Sequence, residues 1–182
     1  MKSKAFYLLL LLINGSFRAN AQLNVAVKNG IIYIENGGVG RPDPRKYGGV
    51  IDSLEKNIKT HPNDTTSLFE RALLFEQLNN QLAKPSTYSK DPIEFLTIAK
   101  NIVEHAVTLQ MKDIRLKILH AQIFRDLVYQ FSVSESWKFT SKQISDRQEK
   151  YLRYKAAANS CYEELSVLDK RNAYDYLRLK VK

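Results

Sequence analysis

From Val50 onward, apolar residues recur at the three- and four-residue spacing that places side chains on one face of an α-helix. The longest such stripe has spacings of 3, 4, 3, 4 and 3 and consists of Tyr151, Tyr154, Ala158, Cys161, Leu165 and Leu168. Prolines, polar runs and capping residues interrupt the pattern and predict where helices end. The sequence therefore predicts a mainly α domain over residues 50–182, with helices that begin near Val50, Asp64, Asp91, Lys112, Ser141 and Ala173.

Residues 22–49 are predicted to contain a β-hairpin followed by a linker. Asn29-Gly30 lies between two short β-prone runs, and this dipeptide favours the type I′ turn of a hairpin. Two strands alone are marginally stable in water, so the hairpin needs to pack on the helices or on a partner. Residues 36–49 hold five of the seven glycines and two of the five prolines, which is typical of a linker.

Residues 1–21 have the pattern of a secretory signal peptide. Lys2 and Lys4 precede nine consecutive apolar residues, and Ala19-Asn20-Ala21 matches a cleavage site before Gln22. Nine residues are too few to span a bilayer as a helix, so we expect cleavage and export rather than an uncleaved anchor. A cleavage site followed directly by Gln resembles exported proteins of Bacteroidetes-type bacteria.

The chain is basic, with 28 Lys and Arg against 19 Asp and Glu. Cleavage before Gln22 would leave 25 basic and 19 acidic residues, and residues 138–182 alone carry 11 and 6. An exported protein rarely meets nucleic acid, so we expect none as a partner. The basic C-terminal quarter favours an anionic envelope surface or an acidic protein, the alternative being a solvated helix surface rich in lysine.

The same quarter of the chain is rich in tyrosine, and Tyr and Arg are favoured residues at binding interfaces. We therefore predict a mixed aromatic and basic surface that binds a partner, with the candidate residues Trp137, Arg147, Lys150, Tyr151, Arg153 and Tyr154. In the alternative interpretation, Tyr154 and Tyr162 fill the core and the basic side chains are merely solvated. Trp137 is then either a loop anchor or an exposed contact.

No catalytic, metal-binding or cofactor-binding residues are predicted. His61, His105 and His120 form no HExxH motif, and the Gly-x-Ser-x-Gly motif of serine hydrolases is absent. Cys161 is the single cysteine, lies on the apolar stripe and is interpreted as a core residue. A small helical hydrolase or lyase remains the alternative, and it would require His120, Arg71 and a carboxylate to share a pocket.

Two patterns recur along the helices. A small residue followed after two positions by an aromatic occurs as Ala72-x-x-Phe75 and, 49 residues later, as Ala121-x-x-Phe124. Intervals of four and three between Ala99, Val103 and Ala106 are repeated in two other triplets: Val50, Leu54 and Asn57; Ala158, Tyr162 and Leu165. These patterns resemble the tetratricopeptide repeat (TPR) family, over about Val50 to Lys180. The turns that follow the triplets, at Pro62, Met111 and Lys170, are separated by 49 and 59 residues. The repeat length of that family is 34 residues.

The resemblance implies a short α-α solenoid of about two degenerate repeats with flanking helices, the hairpin capping its first end. It also implies a concave groove that holds peptides. We therefore expect an exported, non-catalytic protein that binds a protein or peptide in the cell envelope. Alternatives are the enzyme above and a structural subunit whose hairpin donates a strand. The oligomeric state, the choice between groove and basic surface, and O-glycosylation at Asp52-Ser53-Leu54 or Asp64-Thr65-Thr66 stay open.

Overall fold

The computed structural model describes residues 23–35, 47–82, 91–132 and 136–182. In this part of the chain a two-stranded hairpin precedes six α-helices, which confirms the predicted mainly α fold with an N-terminal hairpin. The elements are β1 (Val25–Lys28), β2 (Ile31–Ile34), α1 (Gly48–Thr60), α2 (Thr65–Leu82), α3 (Asp91–Thr108), α4 (Ile114–Phe131), α5 (Ser141–Leu168) and α6 (Ala173–Arg178). A one-turn 3₁₀ helix, Ser136–Lys138, precedes α5. The predicted signal peptide and residues 36–46 of the predicted linker lie outside the described residues.

Local side-chain chemistry sets several helix starts. The Asp113 carboxylate accepts a hydrogen bond from the backbone N–H of Arg115, so α4 begins at Ile114 rather than near Lys112. Thr140 and Gln143 form a reciprocal capping box at the start of α5, where each side chain bonds the other residue's backbone N–H. None of the described helices is both long enough and apolar enough to cross a membrane.

Helices that follow one another in sequence pack against one another in space. The contacts are most extensive within the pairs α2–α3 and α4–α5, and α3 packs on α4 to join the two pairs. The alanines singled out by the recurring patterns are fully buried: Ala72, Ala99, Ala106, Ala121 and Ala158. Small side chains at these positions allow neighbouring helix backbones to approach closely, which a larger residue would prevent.

The long stripe of α5 is only partly buried. Tyr154, Ala158 and Leu165 lie in the core, whereas Leu168 is 55% exposed although it belongs to the same stripe. Tyr162 is fully buried on the same helix. Tyr162 is four residues after Ala158 and three before Leu165. This spacing fits the buried face of α5 as well as the spacing of Cys161 does.

The hairpin turn has the predicted geometry, because Asn29 and Gly30 have φ angles of 54° and 75°. Its strands pair from Val25↔Ile34 to Lys28↔Ile31. β2 packs on α2 and α4, and a Cβ placed on Gly30 would lie 3.0 Å from Leu179 Cδ1 beside α6. The expectation that the hairpin caps the first end of the helices is therefore wrong. It crosses the middle of the helical array and reaches the last helix.

Candidate functional site

The predicted partner-binding residues lie where the end of α4 and the 3₁₀ helix meet the first half of α5. We call this surface the aromatic–basic face, defined as Phe131, Trp137, Phe139, Arg147, Lys150, Tyr151, Arg153 and Tyr154. No residue in 141–150, the first turns of α5, is buried, so the basic side chains of this segment remain at the surface. Trp137 is 76% exposed, which favours the contact interpretation over the loop anchor.

Arg147 lies close to two phenylalanine rings of the aromatic–basic face. Its guanidinium carbon is 4.4 Å from the ring centroid of Phe139 and 5.5 Å from that of Phe131. One guanidinium nitrogen donates a hydrogen bond to the backbone carbonyl of Gln130, which ties α5 to the end of α4. The Nε–H is buried and has no acceptor in the described part of the chain, and burial lowers the pKa of this guanidinium.

Lys150 shares the Phe131 ring with Arg147, because its ammonium nitrogen lies 5.3 Å from the centroid. Two cations therefore contact one aromatic ring, an arrangement in which each cation is attracted by the negative face of the ring. Phe131 and Phe139 were not among the residues selected from the sequence. Phe131 is four residues after Leu127 and so continues the apolar face of α4, a pattern that by itself indicates only a core role.

Tyr154 belongs to the core more than to the surface. It is 9% exposed, and its ring stacks on Phe131 with centroids 5.6 Å apart. The guanidinium carbon of Arg153 is 5.0 Å from the same tyrosine ring, and Arg153 donates to the tyrosine hydroxyl at 3.4 Å. Tyr151 is half-buried, with the ammonium nitrogen of Lys155 at 6.0 Å from its ring centroid. The alternative interpretation thus holds for Tyr154, while Trp137, Arg147 and Lys150 remain surface candidates.

Two cavities border the face. The smaller, about 220 Å³, is lined by Phe131, Phe139, Gln143, Asp146, Arg147 and Lys150. The larger, about 310 Å³, is lined by Lys100, Glu104, Phe124, Arg153, Tyr154 and Ala157. The smaller cavity combines an aromatic floor with two cations and one acid.

A second polar arrangement binds the backbone of the hairpin. The Gln122 side chain on α4 accepts a hydrogen bond from the Ile32 N–H at 3.1 Å and donates to the Ile32 carbonyl at 3.2 Å. On α2, Gln77 donates to the same carbonyl at 3.4 Å, and Glu70 accepts from the Leu23 N–H at 3.3 Å. This hairpin-binding surface, formed by Glu70, Gln77 and Gln122, was not found from the sequence, because Gln122 and Ile32 are 90 residues apart.

Glu76 lies beneath this surface and is fully buried. Gln122 donates to one of its carboxyl oxygens at 2.9 Å, Gln77 donates to the other, and Asp126 is a third hydrogen-bond partner. Burial and the neighbouring Asp126 raise the pKa of Glu76 to about 8. Near neutral pH the two acids are therefore held together by a proton between them.

The groups required for the enzymatic alternative are not brought together. Arg71 pairs with Glu55 of α1 and lies 3.7 Å above the Phe75 ring. His120 instead lies 3.9 Å from Glu104 of α3, so the two side chains occupy different helix interfaces. Burial raises the pKa of the Cys161 thiol to about 11, which keeps it protonated and a poor nucleophile. Within the described residues, no group of three or more His, Cys, Asp or Glu side chains could hold a metal ion.

No protein-family model matches this chain, and no curated protein or solved structure is significantly similar to it.

Proposed function

We propose that this chain is an exported, non-catalytic helical-repeat protein that binds a protein or peptide partner of the cell envelope through its aromatic–basic face. The observation that carries the proposal is the stacking of Arg147 and Lys150 on Phe131 beside the exposed Trp137. Trp, Tyr and Arg dominate the energetics of protein interfaces. Trp137 precedes α5 and is 76% exposed, and Arg147 lies within residues 141–150, none of which is buried, so burial in the core accounts for neither.

The occupied hairpin-binding surface supports the aromatic–basic face as the docking surface. Ile32 and Ile34 of the hairpin are buried against the helices. Both backbone groups of Ile32 are hydrogen-bonded to Gln122. A partner that entered here would have to expose apolar surface and leave buried amide groups without partners, which costs about 1–3 kcal/mol for each group. The same contacts disfavour donation of this strand to another protein.

The arrangement of the helices supports the repeat-like part of the proposal. α2 packs closely with α3 and α4 with α5, and the alanines at equivalent pattern positions in both pairs are buried. Such pairs cannot cover their apolar faces alone and are stabilised by stacking on their neighbours. This architecture leaves the first half of α5 available as a rigid support for side chains that contact a partner.

The proposal is tested by crosslinking and capture from the native envelope, with the protein starting at Gln22 as bait. We expect one protein to be recovered repeatedly and to be lost when Trp137→Ala and Tyr151→Ala are combined. Tyr154 is left unchanged, because its removal would create a cavity in the core. Tyr174→Ala is the matched control, since Tyr174 is equally exposed but lies on α6. Equal capture by the double variant, or recovery of polymer fragments alone, would contradict the proposal.

A further inference from the structure

We propose that the cavity between Phe139, Arg147 and Lys150 is the binding site for a glutamate or aspartate side chain in an acidic segment of the partner protein. This inference rests on the proposed function, because it assigns chemistry to the aromatic–basic face. It names the group that the face recognises, which is a carboxylate attached to an apolar stem.

The described residues do not use all the hydrogen-bond donors of Arg147. The guanidinium carbon lies 5.5 Å from the ring centroid of Phe131 and 4.4 Å from that of Phe139, and the N–H groups of a guanidinium lie in its own plane. One nitrogen bonds the Gln130 carbonyl, whereas the Nε–H has no acceptor in the described residues. Carboxylates bind guanidinium groups in this plane, through charge-assisted hydrogen bonds that are stronger than neutral ones.

The size of the cavity selects a side chain rather than a free ligand. Small-molecule pockets usually measure about 300–1,000 Å³, and this cavity is about 220 Å³. Its floor consists of the Phe131 and Phe139 rings, which suit the methylene groups of an acidic side chain. Gln143 and Lys150 at the rim add further hydrogen-bond donors to the cavity.

The charge around the cavity favours an acidic segment over a single acid. Residues 141–155 contain five basic and two acidic side chains, and one of the acids, Asp146, lines the cavity itself. The remaining basic excess extends along α5 through Arg153 and Lys155. Several carboxylates in a row would meet complementary charge along this helix, whereas one isolated carboxylate would be opposed by Asp146.

The geometry also favours a protein segment over an anionic membrane surface. A flat membrane contacts protruding lysines, but it cannot fill a concave site that is lined by Phe131, Phe139 and Arg147. A side chain that projects from a peptide can enter this site. The occupant is therefore an acidic protein segment.

Trp137 provides the measurement, because it is the only tryptophan in the chain. The probe is a capped twelve-residue peptide of alternating Glu and Leu, titrated into the full protein while Trp137 emission is followed. The matched peptide carries Gln in place of each Glu. We expect saturable binding of the Glu peptide that weakens as salt is raised, and binding of the Gln peptide about 10-fold weaker or more.

Variants separate recognition from folding. Arg147→Gln is expected to weaken the Glu peptide about 10-fold, but it also removes the bond to Gln130 and can destabilise α5. Lys150→Gln is the second variant, because Lys150 is exposed, and it is expected to weaken binding several-fold with unchanged thermal unfolding. Lys59→Gln, at the end of α1, is the control of equal charge and should bind like the parent.

Equal binding of the Glu and Gln peptides would overturn the assignment, as would unchanged binding by Lys150→Gln. A Trp137 response to vesicles containing phosphatidylglycerol, with no response to the Glu peptide, would show a membrane-binding surface and overturn it as well. The two proposals fail separately. Partner capture that depends on Trp137 and Tyr151, together with no Glu-peptide binding, would leave the proposed function in place and remove only the carboxylate site.

Discussion

At the scale of single residues, the fold has to accommodate the fully buried carboxyl group of Glu76. The side chain is fully buried yet has three hydrogen-bond partners, so its polar atoms are satisfied. Its pKa is raised because burial and the Asp126 carboxylate both oppose ionisation. A carboxyl group whose pKa is higher in the folded state stabilises the protein most below its unfolded pKa, near 4.5. That stabilisation is lost as pH rises toward about 8 and beyond.

Glu76→Gln should therefore make stability less dependent on pH. The amide is neutral at all pH values and can still donate to Asp126 and accept from Gln122. We expect the variant to be more stable than the parent at pH 9 by on the order of 2 kcal/mol, and to lose this advantage near pH 5. Urea unfolding at pH 5, 7 and 9 measures the difference. Glu149→Gln, an exposed position on α5, is the control, and parallel pH curves for the parent and Glu76→Gln would contradict the prediction.

At the scale of elements, a single side chain of α4 bonds the backbone of the hairpin. Gln122 is 3% exposed and bonds both backbone groups of Ile32, which lies at the centre of the contact with α2 and α4. A side-chain amide here replaces the third strand that would otherwise pair with β2. A two-stranded sheet, marginal by itself, thus becomes a stable element.

Gln122→Leu should detach the hairpin while keeping the volume of the side chain. The variant leaves the Ile32 N–H and C=O without their Gln122 partner, at a cost of about 2–3 kcal/mol. Hydrogen exchange of residues 25–34 should accelerate more than that of α4 itself, and the melting temperature should fall. Gln148→Leu on the exposed side of α5 is the control. Unchanged exchange in the hairpin would mean that Ile32 and Ile34 hold it by packing alone.

Local features of these elements were predictable from the sequence, and contacts between distant elements were not. The Asn29-Gly30 turn, the start of α5 and the buried alanines each depend on residues close together in the chain. The position of the hairpin depends on Gln122, and Arg147 and Lys150 of α5 contact the Phe131 ring of α4. Periodicity indicates that Tyr154 lies near a buried face, but it does not indicate which neighbouring ring covers it. The sequence therefore placed most of the candidate residues on α5, whereas their contacts with rings of other elements required the fold.

At the scale of the whole molecule, burial is distributed unevenly along the helices. Ten residues of α4 are buried, because α2, α3, α5 and β2 all contact this helix. In α1 only Leu54 is buried, and the helix is tied to α2 by the Arg71–Glu55 ion pair and by Asn57, which bonds Asp64 and Ser67. Exposed ion pairs contribute about 1 kcal/mol or less. The first helix is therefore attached much less strongly than the centre.

This distribution predicts that α1 opens without unfolding the rest of the chain. Native-state hydrogen exchange should give α1 amides an opening free energy at least about 2 kcal/mol below that of α4, with α4 close to the value for global unfolding by urea. Leu54→Ala should lower the opening free energy of α1 further and leave α4 almost unchanged, because its one buried anchor is removed. If α1 and α4 open with the same free energy, or if Leu54→Ala destabilises both equally, the helices form one cooperative unit. In that case contacts along the array transmit the stability of α4 to its first helix, and uneven burial does not translate into uneven stability.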